Sequence, residues 1–373
     1  GGNDNNATDG DARTRSFAGI VEGNGFAVKN LNIHSTNNNI GLFGSLNRAA
    51  VRGLTLSGGM ITGGWFTGGI TGYTYKSIIE DCYTDVVVYG AYGEGGGTKV
   101  GGVVGMLGSG TVIGRCANYG TVIGTHSNGN AGGIAGQIYG IDACRILNSY
   151  NRGNVYNQGT NGMAGGILGY AGAVTADITN CYNAATVSSV GMEGALVPTF
   201  RAEANLSLVN SFFELGNNGA GSALHTGNTW KNAAGSGTIS GFSPEHMKAQ
   251  AFANRISSSV YVYIPNRNEG YPIHIKTTSC ADHNYVMGIC FNCGARDASY
   301  VKPNYCLFGY INGGNYACEE DYQNMGEYRF VNGKLSVIFE QDSYVAVKTE
   351  GNGSWYMTAG WQGASDSVTL HNT

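Results

Sequence analysis

The chain has 373 residues, 62 of them glycine and only 5 proline, with 42% apolar and 11% aromatic content. The glycine lacks the every-third-residue period of collagen, and the apolar share is too high for a disordered chain. Charged residues make up 12% and the formal net charge is −4, which excludes the basic footprint of nucleic-acid binding; no apolar run reaches the length of a membrane-spanning helix.

Residues 1–16, GGNDNNATDGDARTRS, show neither a start methionine nor a signal peptide. They read as the flexible terminus of a fragment or mature chain.

From residue 17 to 242 the chain repeats itself. GGITG (68–72), GGVVG (101–105), GGIAG (132–136) and GGILG (165–169) follow IGLFG, with Gly41, and precede EGALV, with Gly194 as a degenerate sixth copy. A second landmark runs out of phase with the first: Cys82, Cys116, Ser149, Cys181 and Ser211, in DCYTDVVV, RCANYGTV, NSYNRGNV, NCYNAATV and NSFF. Two landmarks sharing a period near 30 residues indicate stacked units. The intervening segments alternate apolar and polar residues and are rich in β-branched side chains, bounded by Gly, Asn and Asp turns. The predicted fold class is all-β: a parallel β-solenoid of six or seven turns, right-handed by the rule for parallel crossovers. A tight corner on every turn needs a residue that tolerates positive φ or close backbone approach, and Gly supplies both. Leu42, Ile70, Val103, Ile134 and Ile167 are expected to point inward. Cys82, Cys116 and Cys181 are expected as buried thiols in a ladder shared with Ser149, and Asn118, Asn151 and Asn183 as a stack of amides. Cys144 stands outside these ladders.

FAGIVEGNGFAVKNLNI (17–33), NIGLFGSL (39–46) and the later FSPEHMKAQAFANRI and NEGYPIHI (268–275) resemble the GLUG-type repeat of bacterial surface proteins, adhesins and the non-catalytic regions of some IgA-cleaving peptidases. The resemblance covers about residues 15–275. It implies a β-helical extracellular scaffold and carries no catalytic motif to transfer.

Residues 243–275 read as a capping helix and exit strand. Ser243 suits an N-cap, Pro244 the first helical position and Glu245 the positive end of the dipole. Ala249, Phe252, Ala253 and Ile256 share one face, predicting a helix that closes the open end of the solenoid.

Residues 276–302 read as a Cys/His knuckle. Cys280 and His283 have CxxH spacing, and Cys290 and Cys293 CxxC spacing, a donor set suited to structural zinc. The stretch resembles small knuckles of secreted Firmicutes proteins. Disulfide pairing is the alternative in an oxidising exterior. A further disulfide between Cys306 and Cys318 is weighed against two buried thiols.

Residues 303–373 alternate short strands with turns and predict a small β-sandwich whose last strands lie beyond this stretch. The segment is similar to starch-binding-like accessory modules of gut Firmicutes. Exposed aromatic rings stack on the apolar faces of sugars while amides bind hydroxyls. Tyr310, Asn312, Asn315, Tyr316, Trp355, Tyr356 and Trp361 are the candidate glycan contacts.

For catalysis, the densest acidic group in the repeats is Glu80, Asp81 and Asp85, and no second acidic rung accompanies it as a glycosidase would need. No hydrolase or metalloprotease motif is present. The expectation is therefore a non-enzymatic extracellular scaffold or adhesin of a bacterial surface. Its partners would be polysaccharide or host glycan, with cell wall or self-association as further possibilities. The alternatives are a β-helical polysaccharide lyase or hydrolase, and a structural filament or stalk subunit.

Overall fold

The computed structural model describes residues 16–92, 97–172, 175–200, 205–216 and 239–275, and beyond them the backbone of short strands between 285 and 371. The chain divides into two units, 1–275 and 276–373.

The first unit is a parallel β-solenoid whose turns visit four faces. One full turn runs Ile78–Glu80, Tyr83–Gly90, Lys99–Gly101 and Val104–Leu107 before the next begins at Val112–Gly114. The first face stacks seven parallel strands, from Ile20–Glu22 to Asn205–Val209. The period of two on each strand becomes a column through the stack: Val51, Ile79, Ile113, Ile146, Ile178 and Leu208 are successive partners, all inside the core. No single turn could bury this column alone, but the stack does. The second face is an 11-stranded sheet, the third has six strands and the fourth four.

The corner between the first and second faces is left-handed. Asp81, Arg115, Asn148, Asn180 and Asn210 have φ between 49° and 54°. Asn and Asp tolerate this region because their short polar side chains bond locally. Asn210 Nδ2 donates to Asn180 Oδ1 (2.9 Å), and Asn180 Nδ2 to Asn148 Oδ1 (3.0 Å). Arg115 lacks such tolerance, and its guanidinium grips Asp81 of the preceding rung.

The glycine motifs do a different job from the positive-φ role allowed for them: none of Gly69, Gly102, Gly133 and Gly166 is among the positive-φ residues. They permit close approach at the arc joining the third and fourth faces. A Cβ on Gly101 would lie 2.0 Å from the Val104 carbonyl oxygen, and one on Gly105 2.5 Å from the Thr67 nitrogen. The two faces therefore meet backbone to backbone. The second glycine seats the arc on the inner ladder: a Cβ on Gly102, Gly133 or Gly166 would lie 2.3, 2.3 or 2.4 Å from Cγ of Asn118, Asn151 or Asn183. Both sequence landmarks are thus halves of one packing device. That ladder is continuous, with Asn118 Nδ2 donating to Asn151 Oδ1 (2.9 Å) and Asn151 Nδ2 to Asn183 Oδ1 (2.8 Å). At the ends the motif drifts. Gly194 is the partner of Gly165, so the second-glycine position there belongs to Ala195, whose carbonyl sits under Gly166. The IGLFG copy is one residue shorter, since Ile40 pairs with Thr67 but Phe43 with Thr71. Leu42 is accordingly half-buried, while Ile70, Val103, Ile134 and Ile167 are fully buried.

Cys82, Cys116, Cys144 and Cys181 are free and buried. Ser149 Oγ accepts from the Cys116 amide, and Cys181 Sγ from the Ser149 amide. Cys144 lies on the first face opposite Ala176, with its thiol directed to the Gly108 carbonyl.

The segment after the repeats corrects the end-cap expectation. It forms two short helices, α1 (Pro244–Met247) and α2 (Gln250–Ser257), interrupted at the extended Ala249. The Ser243 hydroxyl caps no backbone amide and instead contacts His246 Nδ1 at 2.8 Å. Met247, Phe252, Ala253 and Ile256 pack along the flank of the second face, against Tyr150, Tyr182 and Phe212. Among the described residues after the repeats, only the strand Ser240–Phe242 extends the sheet, pairing with Phe212–Glu214. The reason is an outward column of Tyr83, Ala117, Tyr150, Tyr182 and Phe212, aromatic at every rung but Ala117, each the register partner of the next. Such a column needs cover, and the apolar helix face supplies it.

In the second unit, Tyr305–Ile311 pairs antiparallel with Gly314–Tyr316 and Ser343–Thr349, and the latter with Gly360–Gln362. Lys334–Ile338 pairs with Ser367–His371, and Tyr285–Val286 with Ile289–Cys290.

Candidate functional site

The outward side of the second face is divided lengthwise. One part is the aromatic column under the helices. There His274 Nε2 contacts the Asn148 carbonyl (2.7 Å), which makes Nε2 the donor and leaves Nδ1 to accept from the Tyr83 hydroxyl (3.1 Å). Tyr150 and Tyr182 stack with centroids 4.9 Å apart. Tyr261 donates to the Asn180 carbonyl (2.8 Å), and Tyr182 to the Pro272 carbonyl. Burial pushes the phenols of Tyr83, Tyr150, Tyr182 and Tyr261 well above their ordinary range, so they remain neutral donors. Arg152 closes the joint: its guanidinium lies 3.9 Å from the Tyr271 ring centroid and pairs with Glu269 at 2.6 Å. The Tyr271 hydroxyl donates to the buried Glu214. These contacts hold the flank segment in place.

Among the described residues, no helix lies over the remainder of that face, where His34 and Ser188 are exposed, Tyr89, Ile123 and Tyr156 half-buried and Thr62 buried. His34, Thr62, Tyr89, Ile123, Tyr156 and Ser188 are successive register partners along it. Their neighbours in sequence, Val88, Val122 and Val155, fill the core, so alternation turns this row outward. Asn32, Met60 and Val87 form a parallel row beside it. At one end Tyr92 meets His34 edge-on, with its hydroxyl 3.2 Å from Nε2.

Where the third and fourth faces diverge from the glycine arc, their side chains meet as a seam. Phe66 packs on Tyr73 with centroids 6.0 Å apart, and Asn130 Nδ2 donates to Gln137 Oε1 (2.9 Å). Lys99 stands between Phe66 and Asn130 in register. Desolvation lowers its ammonium to about 8, with Nζ donating to the Gly97 carbonyl at 2.9 Å.

Two of the three carboxylates singled out in the repeats, Glu80 and Asp81, are held in ion pairs. Arg52 bridges Glu22 (3.0 Å) and Glu80 (3.2 Å), and Arg115 holds Asp81 (2.5 Å). Asp85 is exposed.

In the second unit, strand register brings several of the sequence-selected glycan contacts together. Asn315 pairs with Tyr310, Tyr310 with Tyr344, and Tyr344 with Trp361. Directly opposed residues share a face of an antiparallel sheet, so these four positions form one row across four strands. Tyr316 pairs with Gly309 and belongs to the neighbouring row. Asn312, Trp355 and Tyr356 lie outside the described residues, as do Cys280, His283, Cys293 and Cys318. Cys290 ends its short strand opposite Tyr285, and Cys306 sits opposite Lys348. Composition alone singled out Tyr310, Asn315 and Trp361; their alignment follows from strand pairing. The aromatic column of the first unit was missed, although an aromatic residue follows the Cys/Ser landmark in CY, SY, CY and SF.

No protein-family model matches the chain, and no curated protein matches it. Among solved structures, the chain is similar to the crystal structure of a putative immunoglobulin A1 protease from Bacteroides ovatus, with 23% identity, a TM-score of 0.51, and coverage of 68% of this chain and 77% of that one. The likeness carries the β-helical fold. It also overturns the expectation of a non-enzymatic chain, because the same fold occurs in a protein named as a protease. The physical reason is that a solenoid is a frame, and a frame without a catalytic motif in its repeats does not decide the chemistry placed on or beside it. Among the described residues, no helix is long and apolar enough to cross a membrane.

Proposed function

We propose that this chain belongs to an extracellular bacterial protein of the protein-cleaving kind, in which the solenoid is the rigid frame and the C-terminal sheet recognises glycan on the target. The register row Asn315, Tyr310, Tyr344 and Trp361 carries this reading. Three aromatic positions and one amide on adjacent strands are the composition by which flat sugar faces and their hydroxyls are held. The neighbour's name supplies the protein-cleaving half of the proposal, and the GLUG-type resemblance the surface location.

The experiment is affinity electrophoresis of the full chain in gels containing soluble starch or mucin, for the native protein and for Trp361→Ala and Tyr344→Ala. Retardation that falls at least tenfold in both variants supports the reading. Equal mobility of native and variant proteins in every gel overturns the glycan assignment. Incubation with immunoglobulin A1, followed by intact-mass analysis, tests the other half: new fragments support it, and an unchanged substrate alongside an active control protease removes it.

A further inference from the structure

The outward row of the second face that the helices leave clear, with Tyr89, Ile123 and Tyr156 half-buried, is a different surface from the C-terminal row. We propose that it binds a neutral, extended, β-linked polysaccharide lying along the solenoid axis.

The spacing of the rings is the first reason. Tyr89 and Tyr156 both partner Ile123, one on each side, so they are two rungs apart. At about 4.8 Å per rung the two rings repeat at roughly 9.6 Å. An extended β-linked chain turns over at each sugar and shows the same face at every second one. Two rings separated by an aliphatic residue therefore meet equivalent faces of alternate sugars, with Ile123 under the sugar between them. A coiled α-linked chain could not stay in contact along a straight column.

Charge is the second reason. Neither His34, Thr62, Tyr89, Ile123, Tyr156 and Ser188 nor the adjacent Asn32, Met60 and Val87 includes an Asp, Glu, Lys or Arg. The ion pairs lie elsewhere, on the first face, at the left-handed corner and at the flank joint. A neutral polymer matches this strip; the charges of the same face, Lys29 and Asp85, stand one row further along, each opposite Ser57. Hydroxyl partners flank it instead: the turns that follow these strands expose Asn128, Gln158 and Asn161, with Asn161 Nδ2 donating to Asn128 Oδ1 at 3.4 Å.

The third reason excludes a peptide strand. Tyr89, Ile123 and Tyr156 belong to strands paired on both sides. Their backbone groups are used within the ladder, so none is free for strand addition.

The test is affinity electrophoresis of the full chain in hydroxyethyl cellulose, glucomannan, soluble starch and polygalacturonate. The proteins compared are native, Tyr89→Ala/Tyr156→Ala, Tyr156→Phe and Trp361→Ala, with circular dichroism and melting confirming that each is folded. The expected result is retardation by the neutral β-linked polymers that is insensitive to salt. It should fall at least tenfold in the double variant and be kept in Tyr156→Phe and Trp361→Ala. Retardation unchanged in a folded double variant overturns the proposal, as does retardation by polygalacturonate alone, or capture of unfolded casein peptides that the double variant abolishes. Loss of all glycan binding in Trp361→Ala alone leaves the C-terminal reading standing and removes this one; loss in the double variant alone does the reverse.

Discussion

Gly102 packs directly on Asn118: a Cβ at Gly102 would lie 2.3 Å from the Asn118 Cγ and 2.3 Å from the Gly133 carbonyl oxygen. Neither neighbour can withdraw, because Asn118 is bonded to Asn151 and to the Gly120 carbonyl, and Gly133 belongs to the next rung. Gly102→Ala is therefore expected to cost at least the 1–3 kcal/mol typical of overpacking. The measure is the urea midpoint. Gly114→Ala is the control: its nearest contact would be 3.5 Å from Glu80 Cγ, and the change should be neutral or slightly stabilising.

Asn151 uses both ends of its amide inside the core. Nδ2 donates to Asn183 Oδ1 (2.8 Å) and the Gly153 carbonyl (2.8 Å), and Oδ1 accepts from Asn118 Nδ2 (2.9 Å). Asn151→Leu fills similar space but leaves these groups without partners. Each buried orphan costs about 1–3 kcal/mol, so this variant should lose more stability than any outward Asn, such as Asn32→Leu. Denaturant titration of the two variants side by side decides the point.

Lys99 gives a pH-dependent prediction. Its folded pKa is lowered from 10.5 to about 8 by desolvation. Below pH 8 the ammonium is charged in both states, and the folded state bears the full desolvation penalty. From about 8 to 10.5 the unfolded chain binds more protons than the folded one, so this residue's contribution to stability rises with pH. Lys99→Met should then be more stable than native at pH 7, with the advantage shrinking through that window and gone above it. Comparing the two proteins isolates Lys99 from the buried phenols and thiols. The phenols of Tyr150 and Tyr182 and the thiol of Cys181, the last pushed up to about 12, act in the opposite sense at alkaline pH. A difference that stays constant from pH 7 to 10.5 would contradict the assignment.

The flank segment should release as a unit when its anchor is removed. His274 ties the strand Ile273–His274 to the Asn148 carbonyl and to Tyr83. His274→Leu retains bulk but loses both bonds and leaves the Tyr83 hydroxyl facing an apolar group. Hydrogen exchange across 243–275 is expected to accelerate at least tenfold, while the core column around Ile113 stays protected. Uniform acceleration would place His274 in global stability instead.

Zinc is tested by composition. With Cys280, His283, Cys290 and Cys293 as ligands, the purified chain should carry one zinc per molecule, and Cys290→Ser should lose it. Metal analysis reading no zinc, together with thiol titration showing these cysteines oxidised, would establish disulfides.

The repeat was legible because stacking converts sequence period into spatial identity. Every inward position, such as Ile79 and Ile113, meets its own kind above and below, so the pattern shows without knowledge of the turn's path. The amide ladder was legible for the same reason. The role of the glycines was only half legible: recurrence exposed the need for a missing side chain, but positive φ proved to belong to the corner of Asp81, Arg115 and the Asn residues. A short motif cannot tell crowding from torsion, since both select glycine.

What the sequence alone determined was the solenoid: its period, its β character and the residues of its inner columns, all properties that neighbouring units share. Only the tertiary structure decided that the helices lie along the flank and not over the end. It alone decided that Tyr89 and Tyr156 stay half-buried beyond the helices while Tyr150 and Tyr182 are fully covered, and that Tyr310, Tyr344 and Trp361 fall in one row. Those relations join residues tens to more than a hundred positions apart. They depend on strand register and on which apolar column finds a cover, and neither leaves a local trace in the chain.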